Sequence, residues 1–217
     1  MTSKKLPEIL LIWPGEMELN KKLLKDLFRE GLHCVEYRPY KRQNKQEIVE
    51  DLKTLKQIIP IVLINNHVDL MNLVDGVWVG ETDMPVNDIK KNLNFDKNKI
   101  IGKTVKTKTQ LLSAIENGAD AIGVGSVFSS RTKRDAFLTD WSIIEKIAQE
   151  STIPTFLVGG INVKNLCFFL EKHPLKNFRI AISSGILKTT NPVTSFIKLR
   201  ELIQDFKKRH RIHSFTP

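Results

Sequence analysis

Apolar and polar residues alternate along the chain in two registers. Short, β-branched apolar runs predict strands over 8–13, 33–37, 60–65, 76–79, 99–105, 121–128, 155–159 and 179–183. Longer charged segments with apolar residues at helical spacing predict helices over 18–30, 45–57, 68–73, 86–93, 108–117, 141–148, 163–172 and 192–208. Nearly continuous apolar strands with helices between them build a parallel sheet covered on both faces. Eight such units in succession predict a closed (β/α)8 TIM barrel, a single α/β domain spanning the 217 residues. An open doubly wound sheet is the alternative; no GxGxxG pattern follows the first strand, which weakens its dinucleotide-binding form. No shift in composition marks a linker, and a basic, polar tail is expected over about 207–217.

Composition sharpens this picture. With 41% apolar and 27% charged residues the chain is neither disordered nor fibrous. No stretch approaches the roughly 20 apolar residues that span a bilayer. No apolar region with a small-residue cleavage site follows the basic start, so no secretory leader is expected. Cys34 and Cys167 each sit in an apolar run and read as buried, reduced thiols. Together these features predict a cytoplasmic protein. The net charge of +10 raises the question of an anionic partner. The lysines are spread over the helices and no nucleic-acid-binding motif is present, so neither nucleic acid nor membrane is the expected partner.

In a barrel of this kind chemistry gathers where strands end and βα loops begin. Gly159-Gly160 after strand seven and Ser183-Ser184-Gly185 after strand eight suit a phosphate held by backbone N–H groups and hydroxyls. The sixth loop carries Ser130, Thr132 and Lys133, two hydroxyls and a point charge for an anionic oxygen. Arg38 and Lys41 follow strand two. Asp83 could hold Mg2+, and Asn65 and Asn66 could supply amide contacts to the metal or a phosphate. Taken locally, however, Asp83-Met84-Pro85 reads better as a helix N-cap with Pro just inside the helix. The histidines show no metal-ligand spacing.

These loops resemble a known family. DGVWVGETDMP at 75–85 is similar to the DGVHLGQEDLP signature of thiamine-phosphate synthases, within the wider thiamine monophosphate synthase and thiazole tautomerase superfamily. GVGSVFSSRTKRDA at 123–136 is similar to their GVGPVFPTPTKKDA loop. The segments at 64–70, 100–107, 117–120 and 154–161 match in order as well. The resemblance implies a (β/α)8 barrel that joins 4-amino-5-hydroxymethyl-2-methylpyrimidine diphosphate to a thiazole phosphate, releasing pyrophosphate, with Mg2+ as cofactor. It implies Lys133 and Arg38 as the catalytic cations. Arg38, Asn65 and Lys133 would contact the diphosphate, and Glu36 and Thr104 would lie near the pyrimidine. Ser130, Thr132, Gly160, Ser183 and Ser184 would hold the thiazole phosphate, and Asp83 would bind the metal with Asn66 beside it.

Three positions depart from the family pattern. Asn66 replaces an Asp that binds the metal, Glu36 replaces a Gln, and Tyr40 replaces a Lys. The diphosphate half thereby loses a carboxylate and a cation. A thiazole tautomerase-like or a non-catalytic thiazole-phosphate or thiamine-phosphate binding protein is the alternative, although Ser126 stands where the tautomerases carry a proton-transferring His. The expected partners are small phosphorylated substrates, with a homodimer left open.

Overall fold

The computed structural model describes residues 6–39, 44–91, 95–128, 139–173, 175 and 178–210. Eight parallel strands close on themselves in sequence order: β1 (Ile9–Pro14), β2 (Cys34–Arg38), β3 (Ile61–Asn65), β4 (Gly76–Val79), β5 (Ile100–Val105), β6 (Ala121–Val124), β7 (Thr155–Val158) and β8 (Arg179–Ile182). Closure is made by β1 against β8, with Ile9 opposite Ile180 and Leu11 opposite Ile182. The fold is the predicted (β/α)8 barrel.

Alternation along each strand sorts the side chains into two apolar layers. Leu10, Ile12, Leu63, Trp78, Phe156 and Ala181 fill the barrel interior. Leu11, Val35, Val62, Val77, Ile101 and Ile180 face outward and pack under the helices. The covering helices are α1 (Lys21–Arg29), α2 (Lys45–Lys56), α3 (Val86–Lys91), α4 (Lys108–Glu116), α5 (Trp141–Glu150), α6 (Val163–Lys172), α7 (Ser184–Leu187) and α8 (Pro192–Arg209). Polar caps fix several helix starts. Asn20, Asn44, Thr107, Asp140, Asn162 and Asn191 each accept a first-turn backbone N–H. These caps set where the chain leaves each βα loop, which is the end of the barrel that carries the candidate site.

At the opposite end, Asp75 and Asp120 serve the sheet. Asp75 accepts from Val62 N at 2.8 Å and from Lys56 Nζ at 2.6 Å. Asp120 accepts from Ile101 N at 2.9 Å. The Asp that opens the 75–85 signature is therefore a structural residue.

Four details differ from the sequence reading. Strand six ends at Val124 instead of running to 128; Gly125 packs so close to β7 that an added Cβ would lie 2.0 Å from Val158 O, and beyond it Val127 N and Phe128 N donate to Val158 O and Gly159 O outside the regular ladder. Residues Val68–Leu73 form a 3₁₀ helix. Helix α7 was not expected: four residues are too few to show a helical period. Lys207, expected in a polar tail, is buried in α8, where its ammonium pairs with the Glu8 carboxylate at the foot of β1. No described helix is long and apolar enough to cross a membrane.

Candidate active site at the barrel mouth

Strand β2 brings Glu36 and Arg38 to the interior face, two residues apart on one side of the strand. Glu36 is 1% exposed. Such a carboxylate needs a partner, and Arg38 supplies it: Nε donates to Oε1 at 2.7 Å and a terminal nitrogen to Oε2 at 3.4 Å. Burial works against the charge on Arg38, but the Glu36 carboxylate outweighs it and raises the guanidinium above its ordinary value. A third of the Arg38 side chain stays exposed, so a permanent cation faces the mouth with one edge fixed.

Asn65 and Asn66 end β3. Asn65 Nδ2 donates to Trp78 O at 3.1 Å, and so does Asn66 N at 3.0 Å. Asn66 takes a left-handed backbone with φ of 64°, which its short polar side chain tolerates better than most, and it is exposed. The Trp78 carbonyl thus fixes the Asn65 side-chain amide and the Asn66 backbone in place.

After β4 the chain turns at Gly80. The Asp83 carboxylate accepts from Gly80 N, so Asp83 closes this turn and is not the N-cap of α3. Pro85 stands immediately before α3 rather than inside it, and its carbonyl accepts from Asp88 N and Ile89 N. Lys103 braces the turn from β5, with Nζ donating to Gly80 O at 2.6 Å. Burial lowers the Lys103 ammonium below its ordinary value, against the pull of Asp83 and Glu81. One Asp83 oxygen is engaged by the turn, and the other has no hydrogen-bond partner among the described residues. Among the described residues no cluster of three or more His, Cys, Asp or Glu forms a protein-only metal cage. A lone carboxylate does suit Mg2+, which commonly keeps one or two carboxylates and completes its shell with water and substrate phosphate.

The other half of the mouth is lined by glycines and hydroxyls. Gly159 and Gly160 have φ of 105° and 65°, conformations that a Cβ disfavours. A Cβ on Gly159 would also lie 2.1 Å from Ser126 Oγ. Ser183 precedes α7 without using its hydroxyl as a cap. Gly185 lets α7 approach the β7 loop, since a Cβ there would meet Ile161 O at 2.1 Å. Between them lies a cavity of about 380 Å³, lined by Gly160, Asn162, Lys164, Ser184, Thr189 and Ser195 among others. Lys164 has no carboxylate partner among the described residues, so it adds an uncompensated cation to this wall. Ser126 is structural, its hydroxyl donating to Phe128 O at 2.8 Å.

The structure therefore brings Glu36, Arg38, Asn65, Asn66, Asp83, Thr104, Gly160, Ser183 and Ser184 to one end of the barrel, as their places at strand ends require. Tyr40, Lys41, Ser130, Thr132 and Lys133 lie outside the described residues. Sequence reading missed Lys103 and Lys164, which look like two more solvated helix and strand lysines, and Trp78, which looks like ordinary core.

The sequence pattern of the thiamine monophosphate synthase family matches residues 10–174, from β1 through α6. The chain belongs to this family. Among thiamine-phosphate synthases, that of Clostridium perfringens (strain 13 / Type A) is 31% identical over 200 residues, covering 88% of this chain and 93% of its own. That of Clostridioides difficile (strain 630) is 31% identical over 194 residues, covering 85% and 90%. The thiamine phosphate pyrophosphorylase from Pyrococcus furiosus superposes with a TM-score of 0.78 at 25% identity, over 92% of this chain and 96% of that one. Within the thiamine monophosphate synthase family, the likeness to these relatives covers between 85% and 92% of this chain.

Proposed function

We propose that this member of the family makes thiamine phosphate from 4-amino-5-hydroxymethyl-2-methylpyrimidine diphosphate and thiazole phosphate. The observation that carries the reading is the two-sided mouth: Arg38, Asn65 and Asp83 on the β2–β4 side and the Gly160–Ser184 cradle on the β7–β8 side. One reactant carries a diphosphate and the other a monophosphate, so two separate anion sites at one opening match the pair.

In this reaction the bond from the pyrimidine methylene carbon to the diphosphate oxygen breaks, and the electron pair leaves with pyrophosphate. The thiazole nitrogen then forms the new C–N bond to that carbon. Arg38 faces the departing charge with its geometry held by Glu36, an arrangement that stabilises the leaving group without reorganisation. Asn65 would donate to the same diphosphate. Lys133, in the 129–138 segment, would add a second cation. Asp83, with the Asn66 amide, would hold Mg2+, which when bound neutralises charge on the leaving diphosphate. Gly160, Ser183 and Ser184, with Ser130 and Thr132, would anchor the thiazole phosphate so that its nitrogen meets the carbon at close range, replacing a bimolecular encounter by a positioned one. Glu36 and Thr104 would line the pyrimidine.

Pyrophosphate release with both substrates and Mg2+ tests the reading. Release should require both organic substrates. Absence of release from folded protein at high enzyme concentration would overturn it.

A further inference from the structure

The barrel interior beneath the mouth holds a feature that the phosphate chemistry does not use. Trp78 points inward from β4 and is 3% exposed. Its indole crosses β5 and β6 at two positions that carry no side chain. A Cβ on Gly102 would lie 2.1 Å from Trp78 Cε3, and one on Gly123 would lie 2.9 Å from Cζ2. Phe156 meets the same ring edge to face, with centroids 5.7 Å apart. Two glycines in adjacent strands thus make a slot, and the indole fills it. Gly123 is the register partner of Thr104, so that residue stands beside the Gly123 end of the slot.

The indole also carries one polar atom, and it is aimed. Trp78 Nε1 donates to Thr104 Oγ1 at 3.2 Å. Indole is a donor only, whereas a hydroxyl accepts and also donates once. With one Thr104 lone pair held by Trp78, the hydroxyl hydrogen turns away from the indole. Among the described residues it has no acceptor. A half-buried hydroxyl with a fixed orientation and an unused hydrogen at the mouth calls for an acceptor atom on a ligand.

The geometry points to Trp78 as a positioning residue for the pyrimidine. Held in its slot, the indole sets the Thr104 hydroxyl through its N–H to donate to a ring nitrogen of the heterocycle. The inference rests on the proposed reaction for the identity of the heterocycle, and concerns a residue that stands where the family signature quoted above has His.

Calorimetric binding of 4-amino-5-hydroxymethyl-2-methylpyrimidine diphosphate to wild type, Trp78→Phe, Thr104→Val and the double variant tests it without requiring turnover. Each single variant should weaken binding about five- to tenfold, the worth of one hydrogen bond. The double variant should bind no more weakly than Thr104→Val, because Trp78 acts through that hydroxyl. Thiazole phosphate affinity should not change. Gly123→Ala, which pushes on the indole edge, provides a second perturbation if Trp78→Phe does not fold, and it should weaken pyrimidine binding selectively. Multiplying effects in the double variant, an equal loss for thiazole phosphate, no effect of the available Trp78 perturbation, or no wild-type binding would overturn the inference. Wild-type binding with this pattern but no pyrophosphate release would overturn the reaction and leave this inference standing.

Discussion

Arg38 Nε donates to Glu36 Oε1 across 2.7 Å, and the carboxylate that receives it is almost completely buried. In the proposed reaction this pair would set the charge of the diphosphate half. Glu36 holds the guanidinium in place but also absorbs part of its field. Replacing Glu36 with Gln keeps an acceptor for Arg38 and removes the negative charge. The KM for the pyrimidine diphosphate should fall roughly three- to tenfold, as one charge-assisted hydrogen bond is redirected to substrate. Glu36→Ala should raise that KM instead, because Arg38 loses its anchor. Steady-state kinetics on the two variants separate these effects.

In the proposed reaction the metal would be held by Asp83. Asp83→Asn keeps an oxygen to accept from Gly80 N, so the turn survives while the charge goes. Pyrophosphate release should drop by about 100-fold or more, as for other losses of charge stabilisation at a departing group. Asn66→Asp adds a second carboxylate, and the Mg2+ concentration giving half-maximal rate should fall about tenfold. Metal titrations of the three proteins measure both shifts.

The anion cradle makes a prediction about one substrate only. Lys164→Ala should raise the KM for thiazole phosphate several-fold and leave that for the pyrimidine diphosphate unchanged. Gly160→Ala should be harsher. Forcing a Cβ onto φ of 65° costs about 1–2 kcal/mol in the fold and also crowds the phosphate.

The buried pair at the other end predicts a pH effect on stability. Burial lowers the Lys207 ammonium below its ordinary 10.5, although Glu8 partly restores it. Below the folded-state value both native and unfolded chains carry the proton, and the full cost of burying the charge applies. Between that value and 10.5 the unfolded chain keeps the proton and the native chain sheds it, so this contribution to stability rises with pH. Relative to Lys207→Met, the wild-type melting temperature should therefore gain as pH rises from neutral toward 10.5. Breaking the pair from the other side, by Glu8→Ala, should destabilise at neutral pH by about 3 kcal/mol.

Thiol reactivity checks the interior packing. Cys34 is fully buried inside the barrel, and burial, with Glu36 and Asp75 adding to it, pushes its thiol well above 9.0. In the folded protein only Cys167 should react with a thiol reagent at neutral pH. Both should react after denaturation.

The barrel was legible in the sequence because its strands are buried on both faces and read as unbroken apolar runs. Seven of the eight strands start and end within a residue or so of the expected places, and β6 alone is shorter than its apolar run, ending before Gly125. The glycine pair at 159–160 and the hydroxyls at 183–184 were visible because turn chemistry leaves local marks. What stayed hidden depends on contacts between distant segments. Glu8 and Lys207 lie 199 residues apart in the chain. Trp78 reads as core until Gly102 and Gly123 are placed beside it by strand register. Asp83 reads as a helix cap because Asp-x-Pro is a common helix start. Only the backbone path shows that its carboxylate turns back to Gly80.

Formation of thiamine phosphate, identified by mass after incubation with both substrates and Mg2+, tests the central claim most directly. The account predicts product that appears only when both substrates are present and is lost in Asp83→Asn. Binding of both substrates by the folded wild-type protein with no thiamine phosphate formed would contradict it.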